Sequence, residues 1–241
     1  MKRIGLVALS LVILIGCSRQ PVKPAAPAAT AYGTAVAEVS GGKQILPAGA
    51  SLDQPVVVQV NDAQGNGVTG AYVEVHAPSG VMLEPAAGLT DSSGQFTAKA
   101  ALGGVAGRYQ LTAITRDKAG KNYELKLEEI ALDYQQVLGR QISQQYCSRC
   151  HDPESTPERV SNMDNLATKP HAFTDGETLN KISDADLTAI ISHGGAALNK
   201  SAEMPPYGYT LSKTDIQALL SYIRAVVDPP YPTKGVVDAK N

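Results

Sequence analysis

The feature that most constrains this chain is a group of two cysteines and one histidine, spaced as Cys147-x-x-Cys150-His151. Two thiols at this spacing can each form a thioether with one of the two vinyl groups of a porphyrin. The histidine that follows then lies beneath the iron and can donate an imidazole nitrogen to it. The motif therefore predicts one covalent haem c, held by Cys147 and Cys150, with His151 as an axial iron ligand.

An iron that transfers electrons needs a second axial ligand, and the sequence offers Met204. This methionine lies far enough after His151 for the chain to wrap around the porphyrin and reach its other face. The alternatives for this position are His193, His171 and Met163. Met204 is favoured because two prolines follow it and stiffen the backbone of its loop.

Two further residues are expected close to the iron ligands. The carbonyl of Pro170 is a candidate acceptor for the second ring nitrogen of His151, which would fix the ring and raise its basicity. Tyr207 follows Met204 closely in the sequence and is expected to add a hydrogen bond near the haem.

Two other kinds of site use the Cys-x-x-Cys spacing. A structural zinc site requires two more Cys or His ligands, usually as a second pair, and the sequence has no second Cys-x-x-Cys. A thioredoxin-like redox pair requires a strand–helix–strand context, which the flanking sequence does not supply. Haem attachment is therefore the interpretation that the sequence favours.

Residues 1–17 have the pattern of a bacterial export signal. Two basic residues precede an apolar run from Ile4 to Ile15, which is too short to cross a membrane as a helix. The run leads into Leu14-Ile15-Gly16-Cys17, which resembles the lipobox of bacterial lipoproteins. The resemblance implies that Cys17 is acylated and becomes the mature N-terminus, and that Ser18 favours sorting to the outer membrane.

Composition sets wider limits on the chain. Residues 18–33 are rich in proline and alanine and are expected to form an extended tether. The remaining length is sufficient for two small domains, and a net charge of −2 does not indicate nucleic-acid binding. All three cysteines are assigned to haem or lipid, so no disulfide is expected.

Residues 34–131 predict an all-β domain. Apolar and polar residues alternate in segments such as Pro55–Val60, Tyr109–Ala113 and Tyr123–Leu127, which are separated by turn residues. This pattern favours a sandwich of about seven strands. With the turn at Gly65–Gly70, it is similar to the bacterial immunoglobulin-like domain of invasin- and intimin-type proteins. The resemblance implies a spacer or docking module without chemistry of its own.

Residues 132–228 predict an all-α domain. Apolar residues recur at helical spacing, and the last helix is expected to begin at Ser212. This helix, the cysteine motif and the Met204 segment together resemble the small monohaem class I cytochrome c. The resemblance implies a haem c wrapped by several helices and a role in electron transfer. One departure is Ser143, four residues after Gly139, where that family has an aromatic residue.

The period of the hydrophobic pattern changes from strand-like to helical between Ile130 and Asp133. This change predicts two separable domains, and residues 229–241 are expected to form a loose tail after the last helix.

The resulting functional prediction is a lipid-anchored cytochrome of the bacterial cell envelope, at the outer membrane and facing the periplasm or the cell surface. With His151 and Met204 filling both axial positions, neither enzyme activity nor a small-molecule substrate is expected. The haem would carry single electrons between a donor and an acceptor protein. The alternatives are a haem-based sensor or adhesin-like interaction protein, and a cytochrome subunit of a membrane oxidoreductase.

Membrane attachment is predicted to depend on Cys17. Acyl chains on this residue would supply the anchor, so in cells that express Cys17→Ala, fractionation should find the protein unprocessed or released from the membrane. The neighbouring variant Ser18→Ala keeps the cysteine and should remain attached. Equal attachment of the two variants would contradict the lipoprotein interpretation.

Overall fold

The computed structural model describes residues 28–152 and 160–232. The predictions for the export signal, for lipidated Cys17 and for residues 18–27 lie outside these ranges, as does the end of the predicted tail. Within the two ranges, no helix combines the length and the apolar character needed to cross a bilayer.

In the part of the chain that is described, nine strands form two sheets. The strands are β1 (Ala35–Ser40), β2 (Ile45–Pro47), β3 (Val56–Asn61), β4 (Tyr72–His76), β5 (Met82–Glu84), β6 (Ala87–Leu89), β7 (Gln95–Ala101), β8 (Gly107–Arg116) and β9 (Asn122–Leu132). One sheet has the order β1-β3-β7-β5 and the other β2-β9-β8-β4-β6. Paired strands are antiparallel, except that β2 runs parallel to β9.

This arrangement confirms the predicted all-β sandwich, with more strands than the sequence indicated. The difference comes from β2, β5 and β6, which have three residues each and are too short to show a period of two. Each also lies at the edge of its sheet, where one side of the strand is unpaired.

The alternation of side chains along the strands creates the core of the sandwich. In β3, Val56, Val58 and Val60 are completely buried, and Phe96 and Ala98 of β7 pack on the same cluster. Full burial of one such side chain contributes about 1.5–3 kcal/mol to the hydrophobic term. The sandwich is therefore held by an ordinary apolar core, as expected for a domain without a disulfide.

One turn type occurs three times between the strands. The carboxylates of Asp62, Asp91 and Asp117 each accept hydrogen bonds from the backbone N–H groups two and four residues later. In each turn the residue three positions after the aspartate is a glycine with positive φ. Asp62 and Asp91 are thus structural turn residues.

The helical half contains α1 (Tyr134–Ile142), a π-helical turn (Ser143–Cys147), α2 (Ser148–His151), α3 (Gly176–Leu179), α4 (Asp184–His193) and α5 (Lys213–Val226). Short 3-10 turns lie at Met163–Asn165 and Gly195–Leu198. The longer helices begin where side chains cap their first N–H groups. Asp133 caps α1, Ser183 caps α4, and Ser212 caps α5 at the predicted position.

Three predicted boundaries differ from the structure. β9 ends at Leu132, one residue beyond the predicted end of the sandwich. The predicted tether ends earlier than residue 33, because the N–H groups of Thr30 and Ala31 donate to the carbonyl of Gly70. The predicted loose tail begins in packed structure, because the Arg224 guanidinium lies 3.9 Å from the ring centre of Tyr231.

The two domains meet in a small apolar cluster, which we call the boundary cluster. It consists of Ile45, Ile130 and Leu132 from the sandwich and of Val137, Phe173, Tyr222, Ala225 and Val226 from the helical domain. The domains are therefore distinct in their secondary structure but share packed side chains where they meet.

The sandwich also contains one completely buried carboxyl group, that of Glu129 in β9. Its Oε2 accepts a hydrogen bond from the N–H of Gln44 at 2.7 Å, and among the described residues its Oε1 has no partner. Burial, with smaller effects of Glu38 and Glu128, raises the pKa of Glu129 from 4.5 to about 7.

We expect Glu129 to make the free energy of unfolding depend on pH. The folded protein keeps this proton up to about pH 7, whereas the unfolded chain releases it near 4.5, so stability falls as pH rises between these values. Glu129→Gln should therefore be more stable than the wild type at about pH 8, by up to about 3 kcal/mol, and similar to it at about pH 4.

Denaturant unfolding followed by circular dichroism measures this difference. Glu124→Gln is the matched control, because Glu124 lies on the same strand and is exposed. If Glu129→Gln keeps the pH dependence of the wild type, the buried carboxyl is not responsible for it.

Candidate cofactor site

The cysteine motif is positioned by a close crossing of α1 and α5. Gly139 of α1 lies directly against the carbonyl of Ala218, so that a Cβ at this position would overlap it, and a Cβ would also lie 2.8 Å from the Cβ of Tyr222. Ser143, which stands where the resemblance implies an aromatic residue, is 6% exposed and starts the π-helical turn. The close crossing therefore depends on the absence of a side chain at Gly139.

The π-helical turn and α2 bring the two cysteines close together. Both thiols are free, Cys147 is buried and Cys150 is half-buried. Burial, with a smaller effect of Cys150, raises the pKa of the Cys147 thiol to about 12. Cys147 is therefore a neutral thiol on the apolar cluster of the helical domain. In the described part of the chain, no group of three or more Cys, His, Asp or Glu residues could hold a metal ion.

The ring of His151 is oriented by a backbone carbonyl. Its Nδ1 lies 2.7 Å from the carbonyl oxygen of His171, which can only accept, so Nδ1 carries the proton and Nε2 is left without one. Burial lowers the pKa of His151, which favours the neutral ring. The predicted acceptor, Pro170, is wrong by one residue.

The reason for this difference is the fixed conformation of His171. Its own ring nitrogen Nδ1 lies 2.9 Å from Oδ2 of Asp175, and Asp175 in turn caps α3. This contact holds residue 171 in place, with its carbonyl at His151. Of the histidines named as alternative iron ligands, His171 thus uses its ring to contact Asp175, and His193 is exposed at the end of α4.

Phe173, which was not predicted as a site residue, contacts His151 directly. The two rings are stacked, with centroids 4.9 Å apart and an angle of 24° between their planes. Phe173 is half-buried and packs on both the helical core and the boundary cluster. Two features of the sequence could have indicated Phe173. It is one of two phenylalanines in the chain, and it lies two residues after His171.

Met204 lies on a loop fixed to the end of α4. Gly194 ends this helix with φ of 81°, and a Cβ there would lie 2.8 Å from the carbonyl oxygen of Met204. Three backbone hydrogen bonds tie the loop down: Gly195 N to Met204 O, Tyr207 N to Ile191 O, and Gly208 N to Ser192 O. Met204 is half-buried and packs on the same apolar cluster as Cys147.

Tyr207 links this loop to the cysteine motif. Its hydroxyl donates to the carbonyl of Tyr146 at 3.0 Å, and the two rings meet edge to face with centroids 6.0 Å apart. Burial raises the pKa of Tyr207, and the thiols of Cys147 and Cys150 contribute in the same direction. A tyrosine of the methionine loop is therefore bonded to the residue directly before Cys147.

These residues fit a c-type haem. The site combines two neighbouring free thiols, a neutral imidazole with its Nε2 available, and a thioether, around an apolar cluster. A cytochrome haem uses a thioether and an imidazole as its iron ligands, in apolar surroundings.

Comparison with protein families gives the same answer for this half of the chain. Residues 135–223 match the family described as Cytochrome C oxidase, cbb3-type, subunit III. The matched segment contains the cysteine motif and the Met204 loop. It implies a covalently bound haem c, an electron-transfer role and partners that exchange electrons with it. A search of curated protein sequences gave no significant match.

Solved structures match this chain only at low sequence identity. The D00-D0 domain of intimin is 17% identical, with 42% of this chain and 50% of that chain covered and a TM-score of 0.31. The Yersinia pseudotuberculosis adhesin InvE is 14% identical, with 41% and 32% covered and a TM-score of 0.32. The chain spans half of the intimin fragment. The sheet order described above defines an immunoglobulin-like sandwich, and the helical region that follows it matches a cytochrome c domain.

The crossing at Gly139 is predicted to be required for haem attachment. In Gly139→Ala the new methyl group overlaps the backbone of α5, so the variant should lose roughly 2 kcal/mol or more of stability and carry less covalent haem. The ratio of haem absorbance to protein and the unfolding midpoint measure the two effects. Gly104→Ala, where a Cβ meets nothing within 4 Å, should behave as the wild type. If both variants match the wild type, the crossing tolerates a side chain.

Proposed function

We propose that this protein is a lipid-anchored monohaem cytochrome c that carries single electrons between protein partners at the bacterial cell envelope. The observation that carries the proposal is the packing of Met204 and Cys147 on one apolar cluster, within the segment that matches a cytochrome family. The cysteine motif and the methionine loop, which are distant in the sequence, thereby meet on one apolar cluster.

Each residue has a distinct part in this proposal. Cys147 and Cys150 would hold the haem covalently, and Nε2 of His151 and the sulfur of Met204 would be its axial ligands. When bound, the haem supplies one-electron redox chemistry.

The surrounding residues keep the ligands in place. The carbonyl of His171 holds the proton of His151 at Nδ1, which leaves Nε2 free to coordinate. The backbone hydrogen bonds of the Met204 loop hold the loop that carries the thioether against the end of α4. If His151 and Met204 both hold the iron, electron transfer would be favoured over chemistry on a substrate.

The location is proposed from the sequence. The lipobox-like segment ending at Cys17 supports a lipid anchor, and Ser18 supports the outer membrane, with the domains facing the periplasm or the cell surface. The Pro- and Ala-rich segment after it supports a tether between the membrane and the sandwich. The donor and acceptor would then be redox proteins of the same compartment.

A second candidate is a cytochrome subunit of a membrane oxidoreductase. It is favoured by the description of the matching family, which is that of an oxidase subunit. The two candidates share the same haem site and differ in whether the chain remains bound to other subunits when membranes are solubilised with detergent.

Met204 is predicted to be the sixth ligand. In Met204→Ala the absorption band of the ferric Met–iron bond should vanish. The reduction potential should fall by at least about 60 mV, since a thioether favours ferrous iron. The reduced variant should bind carbon monoxide, while covalent haem is retained through Cys147 and Cys150. Visible spectra and redox titration measure these changes.

Met163→Ala is the matched control, because Met163 is also half-buried and lies in a 3-10 turn after the cysteine motif. It should keep the spectrum and potential of the wild type. Carbon monoxide binding by the reduced wild type at neutral pH would favour the sensor alternative. An unchanged spectrum in Met204→Ala would move the sixth ligand elsewhere, with His193 as the first residue to replace.

A further inference from the structure

Phe173 connects the two domains of this protein. On one side its ring stacks on the ring of His151. On the other side it packs in the boundary cluster with Ile130 and Leu132 of β9, which belong to the sandwich. A residue stacked on His151 thus packs in a cluster to which both domains contribute.

Arg108 of β8 makes a polar connection between the same two domains. Its Nη1 lies 2.8 Å from Oε2 of Glu128 on the adjacent strand. Its Nη2 donates to the carbonyls of Ala225, at 3.2 Å, and Val227, at 2.5 Å. These carbonyls lie at the C-terminal end of α5, where backbone acceptors lack partners within the helix and the dipole favours positive charge. The sandwich therefore caps the last helix of the cytochrome domain.

The residues just after α5 are paired with the segment that orients His151. The N–H of Asp228 donates to the carbonyl of Thr174 at 2.9 Å, and the N–H of Gly176 donates to the carbonyl of Asp228 at 3.0 Å. Gly176 lies so close to the carbonyl of Pro229 that a Cβ would overlap it. Residues 174 and 176 are therefore held to the end of α5, and Phe173 directly precedes them in the chain.

A continuous set of contacts thus leads from the sandwich to the axial histidine. Arg108 fixes the end of α5, and the end of α5 is bonded to Thr174 and Gly176. The residues directly before them supply the His171 carbonyl and the Phe173 ring to His151. A second contact joins the domains at α1, where Nη1 of Arg140 donates to the carbonyl of Ile45 in β2.

We propose that the immunoglobulin-like domain orients the axial ligand His151, with Arg108 and Phe173 as positioning residues. The inference rests on the proposed haem function, because it assigns the sandwich a role in setting the environment of the iron ligand. The hydrogen bond to Nδ1 sets the basicity of a coordinating imidazole, so the position of the His171 carbonyl influences the reduction potential. The sandwich is then a working part of the redox site, in addition to any spacer or docking role.

The first test replaces Arg108 in the full-length haem protein. Arg108→Met keeps the long apolar stem and removes the donors to Ala225 and Val227. Arg116→Met is the matched control, because Arg116 lies at the other end of β8 and its Nε donates to Asn122 within the sandwich. Amide hydrogen exchange of residues 171–176 and 225–228, and the reduction potential, are measured for both.

In Arg108→Met the exchange of these two segments should accelerate about tenfold or more, which is the effect of losing hydrogen bonds from a charged donor. The reduction potential of Arg108→Met should also differ from that of the wild type. Arg116→Met should match the wild type in both measurements. If Arg108→Met behaves as Arg116→Met does, the sandwich does not position the ligand.

The second test replaces the two phenylalanines of the chain. Phe173→Leu and Phe96→Leu both shorten a packed side chain. Phe96 serves as the control, because it is 4% exposed and its apolar cluster consists of sandwich residues alone. Both variants should unfold more easily than the wild type. Only Phe173→Leu should change the potential and the paramagnetically shifted proton resonances of the His151 ring. If the reduction potential is unchanged in both variants, the proposal is overturned.

The failure of the proposed function would be recognised separately. A wild-type protein without covalent haem or without a reversible one-electron wave would refute the cytochrome assignment itself. In that case the exchange measurement on Arg108→Met would still decide whether the sandwich holds residues 171–176 in place.

Discussion

The contact between Gly139 and the backbone of α5 is the constraint on which the rest of the cytochrome domain depends. It lets α1 and α5 approach so closely that Gly139 lies directly against the carbonyl of Ala218. α1 leads directly into the cysteine turn, and α5 leads into the residues that pair with Thr174 and Gly176. One close approach thus fixes both the segment that carries the thiols and the segment that orients the histidine. The methionine loop joins them through Tyr207 and the end of α4.

Much of this arrangement could be predicted, because the signals were local. The thiol spacing and the adjacent histidine follow from the chemistry of attachment. Ser212 at the start of α5 follows from capping. Period two in β3 and β8 follows from the geometry of a half-buried strand. Each of these depends on residues within about one turn or one strand of each other.

What could not be predicted depends on contacts between distant segments. The acceptor for His151 is the carbonyl of His171 rather than that of Pro170, and the choice is made by Asp175, which holds the ring of His171. Phe173 gives no pattern in sequence, since its role comes from two surfaces that meet only in the folded chain. The burial of Glu129 is also invisible to periodicity, because a charged residue in a strand is normally taken as exposed.

The junction between β9 and α1 consists of a single residue, Asp133, which follows the strand and caps the helix. No linker therefore separates the two domains. The sandwich also comes first along the chain, and it is expected to fold first. Domains generally fold from the N-terminus as the chain emerges. A sandwich that is complete before the cysteines appear would give α1 a fixed starting point. The apoprotein presented for haem attachment would then already be supported at one end, instead of collapsing around the porphyrin from a disordered chain.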